Sequence, residues 1–291
     1  MMLKEVLAGN PFTSKVVSQW KRNLDDFNCG RKRLADLKFV LDGDLECLGR
    51  KAREKLHTEL LPKPFMGNPN APIWYLPINP SYSEIDKYDD LGISPGKIRS
   101  CDVSEWLDRD KDKAACLAKR QAILLSQLLL NECCSFAFLE EAFNTLGDCP
   151  SCNDNGRYRW WRRRLFGATS SSADYLLKTA GVKMDAKSVG EKLFVLESFP
   201  YHSKNFNVKY YTSTAYFAFW KNLVEWGIDN GKKFIIRAKN KIFLQLTSCA
   251  KLEFDAMNSV ALSGEGAFIS RGNLKGTEGT IDAIRLLLNE R

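Results

Sequence analysis

Residues Ala71–Glu84, APIWYLPINPSYSE, decide how the rest of the chain is read. Ile73, Trp74, Tyr75, Leu76 and Ile78 form a short apolar run rich in β-branched and aromatic side chains. Two prolines bracket the run and a polar turn follows, which is the pattern of a buried strand. The run stops at Asn79-Pro80-Ser81. In an open α/β sheet, ligands sit where the chain leaves a strand's carboxyl end. Asn79, Tyr82, Glu84 and Asp90 are therefore candidate site residues. A second stretch, Leu193–Phe206 (LFVLESFPYHSKNF), has the same shape. Its apolar run passes straight into a polar Pro-aromatic loop that carries Glu197, Tyr201, His202 and Ser203.

Outward from these two stretches, apolar runs alternate with helical patterns. Lys233–Ala238 (KFIIRA) reads as a third strand followed by a helix over 240–250, and Met257–Leu262 as a fourth. Thr212–Ile228 reads as a helix with an aromatic stripe, Tyr216, Phe217, Phe219, Trp220, Leu223 and Trp226, facing the core. Ser104–Cys134 reads as one long helix capped by Ser104, and Thr280 as the cap of the last helix. Strand–helix alternation predicts an α/β three-layer sandwich with a mostly parallel, four-stranded sheet. Residues 1–65 mix apolar positions at helical spacing with Lys and Arg. They are expected to form an N-terminal helical extension packed on the main domain, 66–291, with the boundary near Leu61-Pro62-Lys63-Pro64.

The chain has 291 residues, 44% of them hydrophobic and 27% charged, which suits a globular protein. It carries 43 Lys and Arg against 35 Asp and Glu, a net charge of +8, which suits an anionic partner. The N-terminus lacks a signal-peptide core, and Ala122–Leu130 is too short and polar to span a membrane. A cytoplasmic location with no membrane partner is expected. Nine cysteines, an odd number, point to reduced thiols rather than a disulfide framework. Cys133-Cys134 and Cys149-Pro-Ser-Cys152 raise a metal question, but one pair is adjacent and fits zinc spacing poorly. No metal or other cofactor is expected.

The densest basic patch is RYRWWRRR, residues 157–164. Arg157, Arg159, Arg162 and Arg163 interleave with Tyr158, Trp160 and Trp161. Arginine forks onto phosphates and aromatic rings stack on bases, so the patch points to DNA, single-stranded or duplex. The plain alternative is a helix with its tryptophans in the core and its arginines in solvent.

The order of these loops resembles the uracil-DNA glycosylase superfamily. Ile78-Asn79-Pro80-Ser81 is similar to the first-loop motif of that superfamily's mismatch-specific branch, I-N-P-G. The resemblance implies that Asn79 positions water and that Glu197, at the end of FVLES, reads the base. It also implies a final DNA-inserting loop at Ile269–Leu274, with Ser270, Arg271 and Asn273 on DNA and Leu274 or Arg271 as the wedge. That loop lacks the family's usual H-P-S or N-P-S start, and His202 is a candidate for the missing donor. Tyr82 or Tyr201 would be the stacking platform, and Glu84 or Asp90 would add negative charge beside a cationic sugar.

The implied activity is a monofunctional DNA glycosylase that leaves an abasic site without an obligate protein partner. An ionised carboxylate at position 197 only accepts hydrogen bonds, which suits the exocyclic amine of a cytosine-type base rather than uracil. Phage DNA with modified cytosine would be a target, in antiviral defence. Other readings are a uracil or mismatch repair glycosylase, a non-catalytic DNA-binding protein with the same fold, and a metal-dependent nuclease using Glu84, Asp86, Asp89 and Asp90.

Overall fold

The computed structural model describes residues 2–78, 111–130, 191–203, 211–263 and 273–289. Six strands form one sheet: β1 (Phe65–Met66), β2 (Ile73–Tyr75), β3 (Leu193–Leu196), β4 (Lys233–Ile236), β5 (Ser259–Leu262) and β6 (Leu274–Lys275). Their order is β1-β3-β2-β4-β5-β6. The four inner strands pair in parallel, with Tyr75 opposite Val195 on one side and Ile235 on the other, and Ile235 opposite Val260. The two edge strands are antiparallel, Met66 on Val195 and Leu262 on Leu274.

The α/β class therefore matches the sequence reading, while the sheet does not. Among the described residues it has six strands and is mixed, not four and mostly parallel. β1 and β6 span two residues each, too few for alternation to show in sequence. They exist because β3 and β5 offer them an edge to pair with.

Every residue of β2 and β3 is buried, so both faces of the sheet are covered. The helix α6 (Ala215–Asp229, in chain order after α1–α5 below) covers one of them. Trp74 meets Phe194, Phe234 and Trp226 with ring centroids 5.0, 5.9 and 6.1 Å away. Gly227 lets α6 come this close, since a Cβ there would lie 3.1 Å from both Phe234 Cζ and Trp74 Cζ3. The aromatic stripe lies in the core as expected; the helix starts at Ala215 rather than Thr212, and Thr214 caps it by accepting from Phe217 N. The last two helices are α7 (Lys241–Ala250) and α8 (Glu278–Asn289). Thr277 rather than Thr280 caps α8. The Thr277 hydroxyl accepts from Thr280 N at 3.2 Å, and the Thr280 hydroxyl donates to Ala256 O.

The N-terminal layer is less helical than its periodicity suggests. α1 (Leu3–Leu7) and α2 (Ser14–Asn28) form, the latter capped by Thr13. Beyond Gly30, which adopts a left-handed φ of 71°, this layer forms a single 3-10 turn (Leu34–Asp36) and the short helices α3 (Asp42–Cys47) and α4 (Arg50–Arg53). Glycines at 43 and 49 weaken helix propagation here. Leu37, Phe39 and Val40 bury extended chain instead. α5 (Lys111–Gln127) stops at a turn over 128–130, where Leu130 has φ 46°, short of the expected end at Cys134; Asn28 Nδ2 ties it to α2 by donating to Gln121 Oε1 at 2.8 Å. Phe12 touches Phe65 and Tyr216, so this layer shares one continuous core with the sheet. No helix among the described residues is long and apolar enough to cross a membrane.

Gly67 closes the turn after β1 with φ at 88°. A Cβ there would stand 2.2 Å from the Leu193 carbonyl oxygen, which is backbone and fixed in β3. Gly67→Ala combines a left-handed penalty with a backbone clash and is expected to cost about 2–4 kcal/mol. The urea midpoint measures this, and an unchanged midpoint would mean that β1 is not needed for the fold.

Candidate functional site

The strand order reverses beside β2. The chain leaves β2 for β3 on one side, then crosses to β4 on the other and continues outward to β5. Ligand crevices in open α/β sheets form at such a reversal, outside the carboxyl ends of the strands. Both loops singled out in the sequence leave the sheet here. Ser198 donates to Pro77 O through its amide at 3.0 Å and its hydroxyl at 2.9 Å. Phe199 N donates to Ile78 O at 2.7 Å. The register of β2 and β3 thus continues past their ends and sets Glu197 level with Pro77, two residues before Asn79.

Glu197 is buried, at 6% exposure. Its backbone is fixed at both polar groups: the amide donates to Pro64 O at 2.9 Å, and the carbonyl accepts from the Tyr216 hydroxyl at 2.7 Å. The loop beyond it is tied down equally. Lys63 N donates to Pro200 O at 2.8 Å, His57 N to His202 O at 3.0 Å, and Leu56 bridges Ser203. His202 is 1% exposed, and the chain's only two histidines are thereby joined through the backbone.

Tyr201 is placed differently from expectation. A stacking platform must offer a bare ring face to the base. Tyr201 is 3% exposed, edge-on to Phe199, and its hydroxyl donates to Asp44 Oδ2 at 2.6 Å. This side chain belongs to the core, which takes it out of the platform role. Leu274 is corrected likewise. It is 3% exposed and paired with Leu262 in β6, so it cannot act as a wedge entering DNA. Asn273, just before it, accepts from Ser263 N through its carbonyl at 2.8 Å and sits at the carboxyl edge beside β5.

Asn79, Tyr82, Glu84, Asp86, Asp89 and Asp90 lie outside the described residues. So do Arg157, Arg159, Arg162, Arg163, Ser270, Arg271 and the cysteines 133, 134, 149 and 152. No grouping of three or more His, Cys, Asp and Glu that could hold a metal occurs among the described residues.

Two residues at this edge escaped the sequence reading. Arg237, 9% exposed, directly follows β4, and counting on from the Tyr75–Ile235 pair brings it level with Pro77 on the side away from Glu197. A strand of apolar residues ending in a lone Arg was the available signal. Asp44 gave none. It is fully buried on α3 and accepts from the Tyr201 hydroxyl and from Ala215 N at 2.8 Å.

Burial pushes the Asp44 carboxyl above its usual range, and the hydrogen bonds from Tyr201, Ala215 and Tyr216 partly oppose this. Burial also holds the Tyr201, Tyr211 and Tyr216 hydroxyls well above 10, reinforced by negative charge at Asp44 and, for Tyr216, at Glu197. The three remain neutral donors at physiological pH. The Tyr211 hydroxyl donates to Ser198 O. No protein-family model, curated protein or solved structure matches the chain, so the family resemblance rests on its short motifs and on the order of its loops.

Proposed function

We propose that the protein is a monofunctional DNA glycosylase acting on a flipped, cytosine-type base that bears an exocyclic amine. The observation that carries this reading is the hydrogen-bonded pairing of the two loop roots at the strand-order reversal, with the Glu197 carboxyl buried beside it. A flipped base needs a recess with a fixed polar group at its edge. Glu197 supplies such a group on a backbone held at both its amide and its carbonyl.

Cleavage leaves negative charge on the departing base and an oxocarbenium-like sugar. In this reading Asn79 holds the attacking water beneath the sugar, and Glu84 or Asp90 offsets the sugar's positive charge. Tyr82 stacks on the base, whereas His202, 1% exposed, is as buried as Tyr201 and stays in the scaffold of the loop. Arg157, Arg159, Arg162 and Arg163 hold the phosphates, with Ser270, Arg271 and Asn273 at the far side. The chemistry uses no metal. A cytoplasmic role against phage DNA carrying modified cytosine fits this specificity.

The test incubates purified protein, with EDTA present, with four DNAs: uracil-containing, mismatched, unmodified, and phage DNA with hydroxymethylated or glucosylated cytosine. Released base is identified by mass spectrometry, and abasic sites by alkali cleavage. Release of a modified cytosine that is lost in Asn79→Ala is the expected result. Release of uracil alone would leave a glycosylase but remove the assigned specificity. Salt-sensitive DNA binding with no release from any substrate would favour the non-catalytic binder.

A further inference from the structure

The buried carboxylate of Asp44 has no part in the chemistry proposed above, yet both of its oxygens accept hydrogen bonds. Its two oxygens point to different elements. Oδ2 accepts from the Tyr201 hydroxyl in the loop after β3, at 2.6 Å. Oδ1 accepts from Ala215 N, the first residue of α6, at 2.8 Å. A carboxylate at a helix N-terminus takes up backbone N–H groups and complements the helix dipole.

That helix then reaches back to the same loop. Tyr216, in its first turn, donates to Glu197 O at 2.7 Å. Tyr211, just ahead of the helix, donates to Ser198 O, and Tyr211 O accepts from both the amide and the hydroxyl of Thr214, the helix cap. A closed circuit results. One arm runs from Asp44 to Tyr201 at the far end of the loop. The other runs from Asp44 through α6 to Glu197 and Ser198 at the root.

We infer that Asp44 is a positioning residue: it fixes the Glu197–Ser203 loop at both ends from the N-terminal layer, and so sets where Glu197 and His202 stand. The charge geometry argues for this over a plain stability role. A buried carboxylate is costly to desolvate, and an apolar residue of similar size usually serves stability as well or better. What an apolar residue cannot do is accept from a tyrosine and a helix terminus at once. The N-terminal layer is then part of the site's scaffold. Three further bonds run from it to the loop, from Leu41 N to the Tyr201 hydroxyl at 3.3 Å, from Lys63 N and from His57 N.

What the loop does once positioned rests on the glycosylase reading; that Asp44 positions it does not. The variants are Tyr201→Phe, Asp44→Asn and the double replacement. Asn keeps an oxygen for Ala215 N but presents an NH2 group to Tyr201, whose hydroxyl then loses its acceptor. The two single variants should therefore behave alike. Hydrogen exchange read by mass spectrometry is expected to show amides 198–203 exchanging about tenfold faster in each, the equivalent of one hydrogen bond. The β4–α7 segment, 233–250, should be unchanged, and the double variant no faster than either single.

Unchanged exchange in the loop, or equal acceleration in the 233–250 reference, would overturn the positioning role. Tyr201→Phe removes one oxygen atom only and keeps the test open if Asp44→Asn folds poorly. Where base release is found, kcat should fall about tenfold with KM unchanged, as for a misplaced reacting group. Lost activity that merely follows the lost folded fraction would also overturn it. Absence of base release from the wild-type protein would count against the glycosylase reading and leave the exchange result to decide this one.

Discussion

Replacing Glu197 with Gln is expected to lower release of amino-bearing bases by about 10- to 100-fold and to raise release of uracil. The expectation follows from how the residue is held. Its amide is on Pro64 O and its carbonyl on the Tyr216 hydroxyl, so an isosteric side-chain change leaves the loop in place. An ionised carboxylate accepts hydrogen bonds and donates none. It matches an exocyclic amine and meets the O4 of uracil with lone pair against lone pair. A Gln amide presents both a donor and an acceptor, so it can serve uracil.

A lost polar match of this kind inside a site is worth about 1–3 kcal/mol in discrimination, which sets the stated range. The measurement is kcat/KM on two oligonucleotides that differ only in the target base, with urea midpoints as a folding control. A ratio of the two values that stays constant would sink the base-reading role. Equal falls on both substrates would assign Glu197 to the scaffold instead.

The fold should lose stability steeply above pH 10, by about 4 kcal/mol per pH unit. Tyr201, Tyr211 and Tyr216 have folded-state pKa values raised well above 10, chiefly by burial. The unfolded chain ionises these groups near pH 10, while the folded protein retains their protons. The unfolded state then binds fewer protons, and stability falls as pH rises. Their contribution is complete below pH 10 and is lost as pH climbs toward the folded values. Each group contributes about 1.4 kcal/mol per pH unit, and three give the stated slope.

Asp44 works in the same sense at the acid end. Its raised pKa means that its contribution is largest below about pH 4 and declines as pH rises through the folded value. Urea titrations at pH 8, 10 and 11, with tyrosinate absorbance followed in parallel, test the alkaline slope. At least three of the nine tyrosines should ionise only on unfolding. All nine ionising in the folded state would contradict their burial. Tyr201→Phe should reduce the slope by about a third.

The inner strands could be read from the chain because burial on both faces leaves a signature that needs no partner. Ile73–Tyr75, Leu193–Leu196, Lys233–Ile236 and Ser259–Leu262 are short apolar runs ended by Pro, Gly or polar residues. The aromatic stripe of α6 was equally plain, since 3.6-residue periodicity is local. From strands alternating with helices the α/β class followed. Glu197 could also be located, as the polar residue that ends an apolar run.

The rest depended on pairs far apart in sequence. β1 and β6 are two residues long and owe their strand conformation to β3 and β5. Leu274 looked like a loop tip, yet it lies in the core because Leu262 pairs with it. Tyr201 looked like an exposed ring in a polar loop. Asp44, 157 residues away, turned its hydroxyl inward. The fragmented helices after Gly30 have the same cause, since Leu37, Phe39 and Val40 gain more from the shared core than from helix hydrogen bonds. Periodicity records which side of an element is apolar. Which distant residue meets that side is fixed only when the sheet order sets Glu197 level with Pro77 and the loop beyond brings Tyr201 to Asp44.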